Sequence, residues 1–383
     1  MKTKGQSALL TSFLVASFGV VAGCGSADPT VDEPVFPAQL AADLQASMDD
    51  TVATGVSPGV ALHVAHPERG SWAGAAGLGD VDQHRAMVPE GHLRAGSIMK
   101  PLVATAVLQR VEAGLLSLDA TLTELLPADV TKHVPRADEI TVRMLLGHRS
   151  GVPDFLGQEM LMAAAADQAH VWTLEEFLSA AKKQPPTGAP GTTYSYSNTN
   201  YVLLGEILRA QTGRDWRDVV TENVVKRAKM THTSLPLPGD RAVPAPVNFG
   251  YINLGAGLVD FTRMDPSMAG ASGGHALVTT PADLTTFLQA LMAGKLFERP
   301  ATLEQMLSFL PAGEPGSPET EYGLGIEVCE IDGIRLVGHM GKTAGYWSFM
   351  WQLPKTGYFV TGTMNASDDL GAFAFPIAKL LSK

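Results

Sequence analysis

Over 37–54 the apolar residues Leu40, Leu44, Met48 and Val52 recur at every fourth position and Gly55 follows, which predicts an amphipathic helix with a glycine stop. The short apolar runs 60–64 and 71–78, separated by Pro67 and Gly70, predict a hairpin. Over 101–113, Val103, Val107 and Val111 form one stripe, with Ala104 and Leu108 beside it and Gly114 closing. That pattern is a buried helix. Between 116 and about 272 the chain changes to helices joined by long, proline-marked loops, with helical segments read at 116–127, 140–148, 172–181, 201–210 and 216–229. Thr280-Pro281-Ala282-Asp283 opens a further helix that Gly294 ends. Strands then follow at 323–328, 334–338, 346–353 and 359–364, with turns at Asp332-Gly333 and Lys355-Thr356-Gly357, before a closing helix over 370–381. A helix followed by paired strands is an α+β arrangement: an antiparallel sheet flanked by N- and C-terminal helices, with a helical subdomain inserted at about 116–272.

Composition narrows the class. Of 383 residues, 45% are apolar and 17% charged, which describes a packed globular chain. A net charge of −11 without basic clusters excludes nucleic acid as a partner. The first 23 residues read as an export signal: Lys2 and Lys4 precede an apolar stretch over 8–22 that is short for a membrane span. Val21-Ala22-Gly23-Cys24 resembles the bacterial lipoprotein box, which implies a signal peptide over 1–23, lipidation of Cys24 and a polar tether over 24–35. Losing Lys2 and Lys4 takes the charge from −11 to −13. The expectation is an acidic domain from 36 onward, lipid-anchored in the bacterial cell envelope, at the periplasmic side or in the outer membrane. Cys329, the other cysteine, has no partner and reads as a packed small hydrophobe.

The candidate chemistry starts at Ala95-Gly96-Ser97-Ile98-Met99-Lys100. Residues three apart share a helix face, so Ser97 and Lys100 point into one site. A serine hydroxyl is a poor nucleophile at neutral pH, and a buried amine held neutral is able to take its proton. At the start of a core helix the Ser97 N–H has no intrahelical partner and is available to an oxyanion. Two further polar clusters stand out: Tyr194-Ser195-Tyr196-Ser197-Asn198 at a loop-to-helix corner, and Val337-Gly338-His339-Met340-Gly341-Lys342 at the end of a strand. Two rival chemistries are set aside. Gly270-Ala271-Ser272-Gly273-Gly274 matches the nucleophile elbow of α/β-hydrolases but lacks the strand before it and the helix directly after it. His63 and His66 are three apart on a strand and face opposite sides, so they do not form a metal pair.

Ser97-x-x-Lys100, Tyr196-Ser197-Asn198 and His339-Met340-Gly341 resemble, in order and spacing, the three motifs of the serine β-lactamase and D-Ala-D-Ala carboxypeptidase superfamily, in its class C and DD-peptidase branch with its esterase relatives. Leu145-Leu-Gly-His-Arg-Ser-Gly-Val152 and Tyr322-Gly-Leu-Gly325 add to the resemblance, which runs from about Phe36 to the C-terminus. It implies that Ser97 is acylated, with Lys100 and Tyr196 sharing the proton traffic, Tyr196 as phenolate or through its hydroxyl. It implies that Asn198 holds the substrate amide and positions Lys100, and that the N–H groups of Ser97 and Lys342 form the oxyanion hole. His339 is placed to donate to Tyr196 or to substrate, and Gly341 completes the motif. The substrates implied are peptidoglycan peptides, β-lactams or simple esters, with D-Ala-D-Ala carboxypeptidase activity leading, and no cofactor or metal. A D-Ala-D-Ala substrate ends in a carboxylate; Met340 has no hydrogen to donate and Glu327 brings a negative charge, so Lys342 and Thr343 are the local groups left to meet it.

Overall fold

A computed structural model describes residues 34–313, 317–366 and 369–383. The export signal, Cys24 and all but the last two residues of the tether lie outside the described residues. The first helix, Ala38–Ala53, buries Leu44 and Met48 and stops at Gly55, whose φ of +78° suits a residue without Cβ. The hairpin Gly59–His66 and Gly70–Asp80 follows it. These strands belong to a nine-stranded antiparallel sheet ordered Arg85–Ala86, Gly70–Asp80, Gly59–His66, Phe359–Met364, Tyr346–Gln352, Ile334–Thr343, Glu327–Ile331, Glu319–Tyr322 and Leu310–Pro311. At Asp332-Gly333 both residues take positive φ, +50° and +76°, as a tight hairpin requires.

Helices cover both faces of the sheet. Along Tyr346–Gln352 the side chains alternate: Phe349 and Trp351 pack under the terminal helices Ala38–Ala53 and Gly371–Leu381, while Tyr346 and Met350 join the larger core on the other side. The stacked Phe349–Trp351 rings, 4.5 Å apart, add about 0.5–1.5 kcal/mol beyond their burial. The larger core is built on the helix Met99–Glu112, buried without interruption from Met99 to Leu108, and on Asn198–Thr212 and Pro281–Met292. Thr280 caps the last of these by accepting from the Asp283 N–H, and Gly294 ends it.

Several elements differ from the sequence pattern. Of the expected helix at 116–127 only Leu122–Leu125 forms, fixed by a capping box between Thr121 and Glu124. The expected helix at 216–229 is Trp216–Val220 running into a π-helical turn, Thr221–Val225. The expected strand at 323–328 is instead a turn over 323–326 between two strands. Gly325 sits there at φ +86°, where a Cβ would lie 2.3 Å from that of Ala104 on the central helix. Among the elements without a forecast are the helix Gln158–Ala166, the hairpin Tyr251–Asn253/Leu258–Asp260, the helix Pro300–Met306 and the strand Glu319–Tyr322. Residues 34–383 form one unit, and the main core runs without a break through the inserted helices. Among the described residues no helix is long and apolar enough to cross a membrane.

Candidate active site

Ser97 lies in a 3₁₀ turn, Gly96–Ile98, that feeds the central helix. Three backbones meet at this turn because glycine stands at each contact. A Cβ on Gly341 would lie 2.1 Å from the Ala95 carbonyl oxygen, and one on Gly96, at φ +57°, would lie 2.7 Å from that of Lys342. A Cβ on Gly273, at φ +132°, would lie 2.3 Å from the Gly96 carbonyl oxygen. The Lys342 backbone is therefore pressed against the residue preceding Ser97, which puts the two amides of the expected oxyanion hole on adjoining segments.

Lys100 is fully buried, and its Nζ donates to three acceptors: Ser97 Oγ at 3.0 Å, Asn198 Oδ1 at 2.8 Å and the Ser272 carbonyl at 2.7 Å. Burial lowers its pKa to about 7, against an opposing pull from Asp154 and Glu327. A neutral amine keeps two hydrogens and one lone pair. With Asn198 and the Ser272 carbonyl taking the hydrogens, the lone pair is left facing the Ser97 hydroxyl, the orientation of a general base. Asn198 is held in turn, because its Nδ2 donates to Asp154 Oδ2 at 2.8 Å. It is the first residue of its helix, so its side chain serves Lys100 and makes no cap.

Tyr196 roofs the pair, its ring centroid 4.7 Å from Lys100 Nζ, and Ser97 is near enough to its hydroxyl to oppose part of the effect of burial on its pKa. Burial drives its pKa well above that of an ordinary tyrosine. Of the two forms expected, phenolate or hydroxyl, burial in so dry a site favours the neutral phenol. His148 stacks on Tyr196 at 4.3 Å, and its Nδ1 accepts from the Ser197 N–H at 3.2 Å and Asn200 Nδ2 at 3.1 Å. It fixes the loop-to-helix corner.

His339 is turned away from its expected partner. Its Nε2 meets the Tyr322 hydroxyl at 3.0 Å and its Nδ1 meets the Met340 carbonyl at 2.5 Å, while its ring centre is 6.4 Å from that of Tyr196. Burial, then the nearby Lys100, lowers its pKa to about 3, so it is a neutral positioning group. Glu327 is not the surface charge its sequence position suggested. It is buried, and burial followed by the charge of Glu319 raises its pKa well above the carboxylate range. Its neighbour Cys329 is buried and its thiol is raised, which suits packing and not nucleophilic chemistry.

A cavity of about 1020 Å³ opens at the site and is lined by Ser97, Tyr196, Asn198, Lys342 and Thr343 on its polar side. The Lys342 ammonium lies 4.5 Å above the Trp347 ring, which lines the same space. Ser272 contributes its carbonyl alone. Its Oγ donates to the Ala269 carbonyl at 2.7 Å within a 3₁₀ turn, Gly270–Ser272. Sequence reasoning missed the Ser272 carbonyl, Asp154 and the burial of Glu327. None has a motif of its own, although the paired glycines after Ser272 mark a strained turn.

A serine set against a buried lysine beside the Ile334–Thr343 strand of an antiparallel sheet, in this layered fold, defines a class of serine hydrolase. The chain belongs to the Beta-lactamase family, whose defining pattern matches residues 44–379. It is 26% identical over 290 residues to Penicillin-binding protein 4 of Amycolatopsis lactamdurans, covering 71% of each chain. It is 28% identical over 273 residues to a D-aminopeptidase of Cereibacter sphaeroides, covering 71% of this chain and 50% of that protein, so it spans half that relative's length. In structure it is similar to the D-amino acid amidase from Ochrobactrum anthropi complexed with L-phenylalanine amide, with a TM-score of 0.79, 29% identity, and 90% and 97% of the two chains covered. It is also similar to a D-stereospecific amidohydrolase from Streptomyces, with a TM-score of 0.77, 29% identity, and 87% and 97% covered.

Proposed function

We propose that this chain hydrolyses amides or peptides of D-amino acids through an acyl-enzyme on Ser97. The observation that carries the reading is the orientation of Lys100, whose two engaged hydrogens leave its lone pair on the Ser97 hydroxyl. The substrate class draws support from the D-aminopeptidase and the D-stereospecific amidohydrolase and amidase described above. Ser97 Oγ attacks the carbonyl carbon as Lys100 takes its proton, and the resulting oxyanion rests on the N–H groups of Ser97 and Lys342. The proton then passes from Lys100 through the Tyr196 hydroxyl to the leaving nitrogen, and the C–N bond breaks. Water repeats the sequence on the ester and restores Ser97. D-Ala-D-Ala peptides fall within this class, with Thr343 and Lys342 on the cavity wall as the groups available to a terminal carboxylate.

Ester hydrolysis is the second reading, favoured because Met340 packs against the core beneath the terminal helices and supplies no hydroxyl to a carboxylate. Intact-protein mass spectrometry after D-phenylalanine amide, a D-Ala-D-Ala peptide, a fluorescent penicillin and p-nitrophenyl butyrate tests both. A transient adduct on Ser97 from the amides supports the lead reading; an adduct from the ester alone shifts the assignment to an esterase. The proposal extends to location: Val21-Ala22-Gly23-Cys24 supports lipidation of Cys24 and attachment to the cell envelope.

A further inference from the structure

The cavity at Ser97 is at the upper end of the range that holds drug-sized ligands, and among the described residues Lys342 is the one charged residue lining it. Away from the polar side, its walls are Leu161, Ala164 and Ala165 from the helix Gln158–Ala166, and Ile252, Leu258 and Phe261 from the hairpin region opposite. Those two elements also carry five of the ten large apolar side chains exposed among the described residues: Leu161, Met162, Leu254, Leu258 and Val259, each 37–65% accessible. After Gln158 and Glu159 the helix is apolar on every face, the mark of a helix that packs on something besides its own core. Leu161 and Leu258 line the same cavity as Ser97, so this apolar wall and the nucleophile share one space, with Asn253 the polar side chain that the hairpin adds to it.

We infer that this wall is an acyl-chain subsite: beside D-aminoacyl donors, Ser97 accepts acyl donors that carry an extended, unbranched apolar chain of lipid type, seated between the helix Gln158–Ala166 and the hairpin Tyr251–Asp260. The inference rests on the proposed acyl-enzyme at Ser97. A chain fits better than a compact group because the apolar side chains lining the cavity extend to Leu161 and Leu258, which are themselves partly open to solvent. Among the described residues, Lys342 alone brings a charge to this cavity, and it stands on the polar side with Ser97.

The test is a series of p-nitrophenyl esters, butyrate, octanoate and laurate, kept below their micelle concentrations, with the intact mass of the protein recorded for each. Each methylene seated is expected to raise kcat/KM by about fourfold until the rim is reached. Leu161→Asp and Leu258→Asp are each expected to lower the laurate-to-butyrate ratio about tenfold, whereas Leu310→Asp, exposed but outside the cavity, leaves the ratio unmoved. Leu161 is half exposed, so its replacement does not threaten folding. If esters acylate Ser97 but kcat/KM falls with chain length, or the ratio ignores both variants, the subsite is overturned while the hydrolase reading stands. If no ester or amide acylates Ser97, both are overturned.

Discussion

The backbone N–H of Met340 donates to Oε1 of Glu327 at 2.5 Å, tying the third-motif strand to its neighbour through a buried carboxyl group. Burial and the charge of Glu319 raise the Glu327 pKa. A raised pKa means that the native state holds its proton after the unfolded chain has lost one, so stability falls as pH climbs above the ordinary carboxylate range. Glu327→Gln keeps the acceptor and has nothing to ionise. It is expected to melt with wild type at about pH 4 and to gain about 2 °C over it by about pH 8. A difference that stays flat across that span refutes the titration argument.

Lys100 reports the other sign. Its pKa of about 7 lies below the unfolded value, so between 7 and about 10.5 the unfolded chain binds more protons and stability rises with pH. At and below pH 7 the full cost of the buried amine is present. Lys100→Met should therefore raise Tm at neutral pH while it lowers acylation of Ser97 by more than about 10³-fold. In the wild type, kcat/KM should climb with pH through a midpoint near 7 as the base loses its proton. A kcat/KM that is level across pH 6–8 would remove Lys100 as the base.

Tyr196→Phe should cost about 10²–10⁴-fold in kcat/KM, the range for loss of a proton relay. The acid limb near pH 7 should persist in that variant, because the phenol does not titrate there. Normal turnover by Tyr196→Phe would dismiss the tyrosine from the mechanism.

Two serines compete for the nucleophile's role, and two variants separate them. Ser97→Ala should abolish covalent labelling, whereas Ser272→Ala should retain most of it, since only the Ser272 carbonyl meets Lys100. Gly273→Ala should be nearly as damaging as the loss of Ser97. Its Cβ would stand 2.3 Å from the Gly96 carbonyl and 2.9 Å from the Ser97 nitrogen, displacing both the carbonyl and the oxyanion amide. A loss of about 10²-fold or more in kcat/KM is expected.

Cys24→Ser should release the protein from membranes and leave kcat/KM unchanged, measured by fractionation and assay of one preparation. A wild-type protein found wholly in the soluble fraction sinks the anchor proposal.

Strands whose side chains alternate or whose turns carry Asp-Gly were legible in the sequence, and 359–364 is reproduced as Phe359–Met364. The turn at 323–326 was read as strand because Leu324 and Ile326 are apolar. What decides it is the approach of Gly325 to Ala104, a contact between residues far apart in the chain. The Leu254–Leu258 tip was passed over because its Gly-Ala-Gly core has no period. In the site, Ser97, Lys100, Tyr196 and Asn198 were legible because each is a side chain in a short motif. The Ser272 carbonyl was not, since any residue type supplies a carbonyl and only the fold aims it. Glu327 misled for a related reason: a carboxylate reads as surface until its burial is known.

The glycine junction of Gly96, Gly273 and Gly341 also sets what is changeable in this enzyme. No side chain fits at those three contacts, and two of the three groups that meet Lys100, the Ser97 hydroxyl and the Ser272 carbonyl, stand directly beside Gly96 and Gly273. The rim at Leu161 and Leu258 is open to solvent, apart from the packed junction. Diversification of substrate, by selection or by design, is thus channelled to the cavity's outer wall, where the recognised group can change while the reacting atoms stay in register.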